Sequence, residues 1–306
     1  MITSYTGVHV ALLTAFTDDE ELDIAATQDL ARDVIDRGVH GIVVNGSTGE
    51  FASMNDGEKR RNLEAVLEVA GGRVPVTAQV GGMTTAESVA SARHAKAAGA
   101  DAALLVSPYY EPLDEEEIEY HFRAVADVGL PIMIYNNPAA TGWSMSPELI
   151  ERLAGIDEVR FIKDTTPDAG RVFRIRQLVG DRIQVLSGQD SLAIVGFLAG
   201  GATATVWGAA NAIPEGCVRL WELTVARPQP EAARRLWSAI YPLARFFETN
   251  GYAQSVKTAT RLRGMAVGPC RKPALPLGKA REQELTELLA NVTSALREPE
   301  PVRVAV

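Results

Sequence analysis

The feature that most constrains this chain is a repeat of eight short β-rich runs, each followed by a polar turn and a longer helical pattern. Several runs, such as GIVV, AALLV and PIMIY, are almost continuously apolar, which is typical of parallel strands buried on both faces. Successive runs start roughly 20 to 35 residues apart, the length of one strand–helix unit. The eight predicted strands are Val8–Phe16, Gly41–Ser47, Pro75–Gly81, Ala102–Tyr109, Pro131–Asn136, Val159–Asp164, Ile183–Gly188 and Ala202–Gly208.

This spacing predicts an α/β fold, and eight units within about 230 residues favour a closed (β/α)8 TIM barrel. A doubly wound open sheet is the alternative. Beyond about residue 215 the strand pattern ends and helical patterns follow. We therefore expect residues 1–225 to form the barrel with the active site, and residues 226–306 to form a helical extension packed on it. The last residues, EPEPVRVAV, are predicted to be poorly ordered.

Local signals support helices between the strands. Thr84, followed three positions later by Glu87, predicts a capping box at the start of one helix, and Gly99 predicts its end. Asp114 precedes the acidic run EEEIEYHF, which suits the positive end of a helix dipole. We interpret that run as a solvated helix start.

Composition and charge exclude several classes of function. A formal net charge of -9 disfavours a nucleic-acid surface, which needs clustered Lys and Arg. No run reaches the ~18 apolar residues of a membrane span, and the N-terminus lacks the basic region of a signal peptide. Cys217 and Cys270 are too few for a disulfide framework. We expect a cytoplasmic protein with reduced thiols.

Lysine is the first candidate for chemistry. Functional groups of a barrel project from the carboxyl ends of its strands, and only Lys163, in VRFIKDTT, ends a predicted strand. A lysine inside a barrel is desolvated, which favours the neutral amine that adds to a carbonyl carbon. The alternative is a buried lysine paired with a carboxylate such as Asp164.

Hydroxyl groups occur at two other strand ends. Tyr135 ends the preceding strand, where its phenol either shuttles protons during imine formation or packs at the barrel rim. The second strand ends in GSTGE, where Ser47 and Thr48 lie between glycines. Such a turn can present hydroxyl and backbone N–H groups to a carboxylate, although many turns of this composition bind nothing.

Metal and nucleotide motifs are missing from the sequence. The four histidines, at positions 9, 40, 94 and 121, show no HxH or HExxH spacing. The chain has no P-loop, and no GxGxxG follows a strand. We expect an enzyme that needs neither a metal ion nor an organic cofactor.

Five motifs occur in order along the chain: GIVVNGSTGEF, SPYY, YNNPAATG, FIKDTT and SGQD. With Tyr135 and Lys163 28 positions apart, this combination resembles the dihydrodipicolinate synthase / N-acetylneuraminate lyase family, from VALLTAF to KPALPL. The resemblance implies a class I aldolase in which Lys163 forms a Schiff base with a 2-oxo acid such as pyruvate. It also implies a homotetramer built as a dimer of dimers.

The resemblance assigns roles to further residues. Tyr135 would be the proton relay, and Thr48 would join it and Tyr110 in a chain of hydroxyl groups. Tyr110 would reach into the neighbouring subunit's site. Ser47 and Thr48 would hold the substrate carboxylate. The residues expected to bind substrate or line the pocket are Ser47, Thr48, Gly188, Asp190 and Val206.

Departures from the family pattern bear on the substrate. Dihydrodipicolinate synthases typically have an arginine where this chain has Ala140, so the clamp for the second substrate's carboxylate is missing. Ser191 and Gly208 depart from the sialic acid lyase pattern. Trp207 is either a bulky neighbour of the pocket or a core side chain.

The YNNPAATG motif resembles 2-keto-3-deoxygluconate aldolases. We therefore expect a lyase that cleaves or forms a 2-keto-3-deoxy sugar acid, with pyruvate as one product, and a poor reaction with aspartate semialdehyde. The alternatives are dihydrodipicolinate synthase (4-hydroxy-tetrahydrodipicolinate synthase), a dehydratase or deaminase that uses the same imine, and a silent barrel that only senses a 2-oxo acid.

Overall fold

The computed structural model describes residues 4–297 and contains a closed barrel of eight parallel strands in chain order. β1 pairs with both β2 and β8, so the predicted barrel is confirmed and the open sheet is excluded. The tail EPEPVRVAV lies outside the described residues. The strands are β1 (Gly7–Ala11), β2 (Gly41–Val44), β3 (Val76–Gln79), β4 (Ala102–Val106), β5 (Ile132–Asn136), β6 (Val159–Asp164), β7 (Gln184–Ser187) and β8 (Ala204–Trp207).

Side chains alternate between the barrel interior and the outer core. In β6, Phe161 packs inside the barrel, Ile162 packs against the surrounding helices, and Lys163 faces inward again. The ring of Phe161 meets the ring of Tyr5 edge-on, with the centroids 4.5 Å apart. In β5, Tyr135 belongs to the same interior cluster as Phe161. The period of two therefore directs both candidate catalytic side chains into the barrel.

Helices surround the barrel, and the two whose starts the sequence predicts begin at the expected residues. Thr84 and Glu87 form the predicted capping box, Gly99 ends that helix in a left-handed conformation, and Asp114 forms a second capping box. The helices are α1 (Ile24–Asp36), α2 (Asp56–Ala70), α3 (Thr85–Ala98), α4 (Glu115–Ala126), α5 (Pro138–Thr141), α6 (Pro147–Leu153), α7 (Ala169–Val179), α8 (Ala193–Leu198), α9 (Pro214–Trp221), α10 (Pro230–Thr249), α11 (Tyr252–Leu262) and α12 (Lys279–Arg297).

The C-terminal helices pack together beside the barrel. α10 contacts α9, α11 and α12, and it also contacts the short 3₁₀ turn that follows β7. The helical patterns that the sequence shows beyond about residue 215 correspond to these helices, although no separate helix was predicted for α11. The division of the chain at residue 225 stays a prediction. Within residues 4–297, no helix is both long and apolar enough to cross a membrane.

The segment after α11 returns to the loop that follows β1. The backbone N–H of Phe16 donates to the carbonyl of Val267 over 3.3 Å, and Lys257 and Arg271 both lie over the Phe16 ring. At Gly268, φ is +65°, and an added Cβ would lie 1.7 Å from the carbonyl oxygen of Phe16. This close approach requires glycine.

We predict that Gly268→Ala is strongly destabilising, by more than about 3 kcal/mol. The added Cβ would force the Phe16 backbone to move, and alanine would also be strained at this positive φ. The matched control is Gly264→Ala, where φ is also positive (+99°) but an added Cβ would meet nothing within 4 Å. The control should lose only about 1 kcal/mol. Denaturant unfolding measures both, and equal losses would contradict the role given to the Phe16 contact.

Candidate active site

A cavity of about 290 Å³ opens at the carboxyl ends of the strands. It lies where a barrel places its functional groups. Seven of the eight site residues expected from the sequence line it: Ser47, Thr48, Tyr135, Lys163, Gly188, Asp190 and Val206. The structure therefore brings together side chains from widely separated parts of the chain.

Lys163 and Tyr135 lie side by side at the base of this cavity. They are register partners on neighbouring parallel strands, β6 and β5. The amine nitrogen of Lys163 is 4.2 Å from the centroid of the Tyr135 ring. Both side chains are buried, with 6% and 5% of their surface exposed. The amine is thus held away from water and next to a phenol.

Asp164, the alternative partner of the lysine, is engaged elsewhere. Its carboxylate accepts from Arg171 Nε at 3.1 Å, from Asn136 Nδ2 at 2.9 Å and from Thr166 Oγ1 at 2.5 Å. Among the described residues, we find no salt bridge to Lys163. The paired-lysine alternative is therefore not what the structure shows, and the amine is available to a substrate.

The Tyr135 hydroxyl is oriented by two polar side chains. Asn137 Nδ2 donates to it over 2.8 Å, and Ser47 Oγ lies 3.4 Å away, at the long limit of a hydrogen bond. Thr48 lines the same cavity and is 6% exposed, but the hydroxyl near Tyr135 belongs to Ser47. Asn137 was missed by the sequence analysis, although it lies within the quoted YNNP motif.

Gly188 leaves the space that the lysine side chain occupies. A Cβ at this position would lie 2.7 Å from Lys163 Cγ, 2.7 Å from Thr165 Cγ2 and 2.9 Å from Lys163 Cε. Side-chain carbons do not approach this closely without displacement. Glycine is needed here to let Lys163 reach the cavity, which the motif SGQD alone did not explain.

The C-terminal helices add a second group of polar side chains. The Tyr252 hydroxyl donates to Asp190 Oδ2 over 2.5 Å, and Glu248 lines the cavity next to this pair. Burial raises the pKa of Asp190 to about 7, while the hydrogen bond from Tyr252 opposes the rise. Neither Tyr252 nor Glu248 was predicted, because no local pattern places these helical residues beside β7.

Two expected residues lie away from the cavity. Tyr110 is 83% exposed and does not line it, so its expected role in a neighbouring subunit's site stays a prediction. Trp207 is fully buried in the outer core, with its ring centroid 6.4 Å from that of Trp237. Of the two interpretations of Trp207, the core side chain is confirmed.

Comparison with known proteins identifies the family. The model of the dihydrodipicolinate synthetase family matches residues 4–292. The chain belongs to this family. It is 37% identical over 292 residues to 4-hydroxy-tetrahydrodipicolinate synthase of Methanoculleus marisnigri, covering 94% of this chain and 99% of the relative. It is 38% identical over 270 residues to an uncharacterized DapA-like lyase of Halobacterium salinarum, covering 87% of each.

Solved structures of family members have the same fold. YagE, a prophage protein of E. coli K12 in complex with pyruvate, has a TM-score of 0.89 at 29% identity and covers 94% of this chain and 99% of its own. The chloride-inhibited dihydrodipicolinate synthase of Acinetobacter baumannii, complexed with pyruvate, has a TM-score of 0.90 at 29% identity, with 95% and 99% covered. As a family member, this chain is a class I Schiff-base lyase.

We predict that Gly188→Ala lowers kcat/KM by about 100-fold or more, because displacing the lysine by about 1 Å misaligns its attack on the carbonyl. Gly46→Ala is the matched control in the turn after β2, since a Cβ there would meet only Val43 Cγ1 at 3.9 Å. Steady-state kinetics and circular dichroism of both variants test this. Wild-type kinetics for Gly188→Ala would show that the lysine does not need this space.

Proposed function

We propose that Lys163 captures the C2 carbonyl of pyruvate, or of a 2-oxo acid that releases pyruvate, as a Schiff base. The observation that carries the proposal is a buried amine without a carboxylate partner, 4.2 Å from the ring of Tyr135 in an open cavity. The protonated imine withdraws electrons and so stabilises an enamine at C3. Ser47 and Thr48, at the turn after β2, are suited to hold the substrate carboxylate.

Tyr135 would transfer protons at the reacting atoms. Its hydroxyl accepts a hydrogen bond from Asn137, which fixes the direction in which its own proton points. In condensation, the enamine carbon attacks an aldehyde and Tyr135 delivers a proton to the new alkoxide. In cleavage, the same phenol takes the proton from the C4 hydroxyl as the C3–C4 bond breaks. After cleavage, the enamine takes a proton at C3 to regenerate the imine, and hydrolysis of the imine then releases pyruvate and frees Lys163.

The second reactant distinguishes two candidate functions. Relatives named 4-hydroxy-tetrahydrodipicolinate synthase, at 35% to 37% identity over nearly the whole chain, favour condensation of pyruvate with aspartate semialdehyde. This was the alternative in the sequence analysis, and the relatives support it better than they support a sugar-acid aldolase. We take the synthase reaction as the first candidate.

The sugar-acid aldolase remains as the second candidate because of the charges around the cavity. Ala140, at the position where dihydrodipicolinate synthases typically have an arginine, lines the cavity. The lining residues include one cation, Lys163, and two acids, Asp190 and Glu248. A second reactant whose far end is neutral, such as a sugar aldehyde, fits these charges without an anion clamp.

The proposal also includes the oligomeric state of the protein. Tyr110 is exposed on the single chain, as expected of a side chain that completes a neighbouring subunit's site. We propose a homotetramer built as a dimer of dimers. Sedimentation of the purified chain measures the assembly directly.

We predict that borohydride in the presence of pyruvate adds the mass of one reduced pyruvate imine, on Lys163. Lys163→Ala should stay folded, lose this adduct and lose turnover by roughly three orders of magnitude or more. Lys257 is an internal control, because it is also buried but is ion-paired to Glu50 Oε1 at 2.6 Å. Peptide mapping that finds the adduct on Lys257, or on no lysine, would overturn the assignment.

We predict that a direct substrate comparison separates the two candidates. The synthase should consume aspartate semialdehyde with pyruvate, whereas the aldolase should release pyruvate from 2-keto-3-deoxygluconate. If the missing anion clamp limits the synthase reaction, Ala140→Arg should lower KM for aspartate semialdehyde by about 10-fold or more. Ala139→Arg is the matched control on the adjacent lining residue. A preference for the sugar acid would reject the first candidate.

A further inference from the structure

A buried ion pair outside the Lys163 cavity takes no part in the steps proposed above. Lys257, on α11, places its amine nitrogen 2.6 Å from Oε1 of Glu50, and the two side chains are 2% and 7% exposed. Removing two charges from water costs about as much free energy as their attraction returns, so such a pair adds little to stability by itself. The surroundings of the pair indicate a different role.

Both oxygens of the Glu50 carboxylate are engaged. Oε1 faces Lys257, and Oε2 accepts from the backbone N–H of Arg271 at 3.0 Å. Lys257 is fixed in turn, because its amine donates to the carbonyl of Pro269 over 2.8 Å and lies 4.4 Å from the centroid of the Phe16 ring. Burial lowers the pKa of Lys257, and the Glu50 carboxylate opposes that fall. The pair is thus a fixed contact between α11 and residue 50.

Glu50 closes the turn that carries Ser47 and Thr48. Its backbone N–H donates to the carbonyl of Ser47 over 3.1 Å, and the N–H of Phe51 donates to the carbonyl of Gly46 over 3.3 Å. The φ of Glu50 is +56°, a conformation that residues other than glycine rarely adopt. Such a conformation persists only where surrounding contacts hold it. The side chain of Glu50 therefore anchors the turn that is proposed to bind the substrate carboxylate.

The same side chain brings a negative charge close to that turn. Glu50 lines a chamber of about 210 Å³ that shares Ser47 and Tyr135 with the Lys163 cavity. It is the only acid among the lining residues of this chamber within the described part of the chain. At partly buried sites, two like charges repel strongly enough to weaken binding about tenfold. An unpaired Glu50 would repel the carboxylate of a keto acid, and Lys257 cancels that charge.

We propose that Lys257 is a positioning residue for the keto acid. By pairing with Glu50, it lets the turn of residues 46–50 keep a carboxylate anchor without repelling the substrate carboxylate at Ser47 and Thr48. Lys257 does not line the cavity, so it acts through Glu50 and not by touching the substrate. The inference rests on the proposed function, because it concerns the keto acid that forms the Schiff base. It makes the ion pair a determinant of the preference for 2-oxo acids over uncharged ketones.

The test measures the pyruvate concentration that half-saturates borohydride trapping on Lys163, at pH 8, where carboxyl groups are ionised. Lys257→Met removes the cation and keeps most of the side-chain length. It should raise the half-saturating pyruvate concentration about 10-fold or more, because Glu50 then carries an unpaired charge. Methyl pyruvate has the same keto group without the negative charge, so its half-saturating concentration should change less than about threefold.

A second substitution tests whether charge or shape is responsible. In Lys257→Met/Glu50→Gln both charges are removed, and an amide oxygen can still accept from the Arg271 N–H. Pyruvate should then half-saturate trapping within about threefold of the wild-type concentration, and Glu50→Gln alone should do the same. Circular dichroism checks that each variant folds. If Lys257→Met does not fold, these two variants carry the test, and a tenfold loss in either that is specific to pyruvate would overturn the proposal.

Arg263→Met is the matched control. Arg263, at the end of α11, pairs with Asp33 Oδ2 at 2.6 Å, and neither residue lines the cavity or the chamber. This variant should keep the wild-type half-saturating concentrations of pyruvate and methyl pyruvate.

The wild-type protein separates the two levels of failure. If pyruvate is not trapped on wild-type Lys163, the proposed function fails. If pyruvate is trapped, but Lys257→Met weakens pyruvate and methyl pyruvate equally or changes neither, the role of Lys257 is overturned. A double variant that binds pyruvate as weakly as Lys257→Met would also overturn it, because the charge of Glu50 would then not be the cause.

Discussion

The interaction on which the rest of the site depends is the pairing of Tyr135 and Lys163 across two neighbouring strands. Parallel register places both side chains on the interior face at the same height, and the closed barrel removes them from water. Because Asp164 is bonded to Arg171, Asn136 and Thr166 on its own side of the strand, the amine keeps no carboxylate partner. Lys163 can act as a nucleophile because no carboxylate holds its amine in an ion pair.

The barrel and the C-terminal helices contribute different parts of the site. Strand ends supply the amine, the phenol and the hydroxyl-bearing turn, which are the groups that a keto acid needs. Helices α10 and α11 supply Glu248 and Tyr252, which meet Asp190 on one wall of the cavity. The barrel thus supplies the groups that react with a keto acid, and the helices packed beside it complete one wall of the same cavity. A family can change substrate by altering the second part while keeping the first.

Most of the fold and the central pair could be predicted from the sequence. The eight apolar runs, the capping box at Thr84 and the position of Lys163 at a strand end are local patterns with direct structural meaning. The limits of that approach appear at Trp207, for which the sequence left two interpretations open, a bulky neighbour of the pocket or a core side chain. It packs outward because successive residues of a strand face opposite sides.

The sequence by itself determined the number of strands, the alternation that turns Lys163 and Tyr135 inward, and the family of the chain. These features depend on spacings of a few residues. Backbone geometry determines from such a spacing which way each side chain points. Only the tertiary structure decided which carboxylate pairs with which cation, why Gly188 must be glycine, and that Tyr252 reaches Asp190. Those contacts join positions far apart in the chain, so they depend on how the helices and strands pack and not on any local pattern.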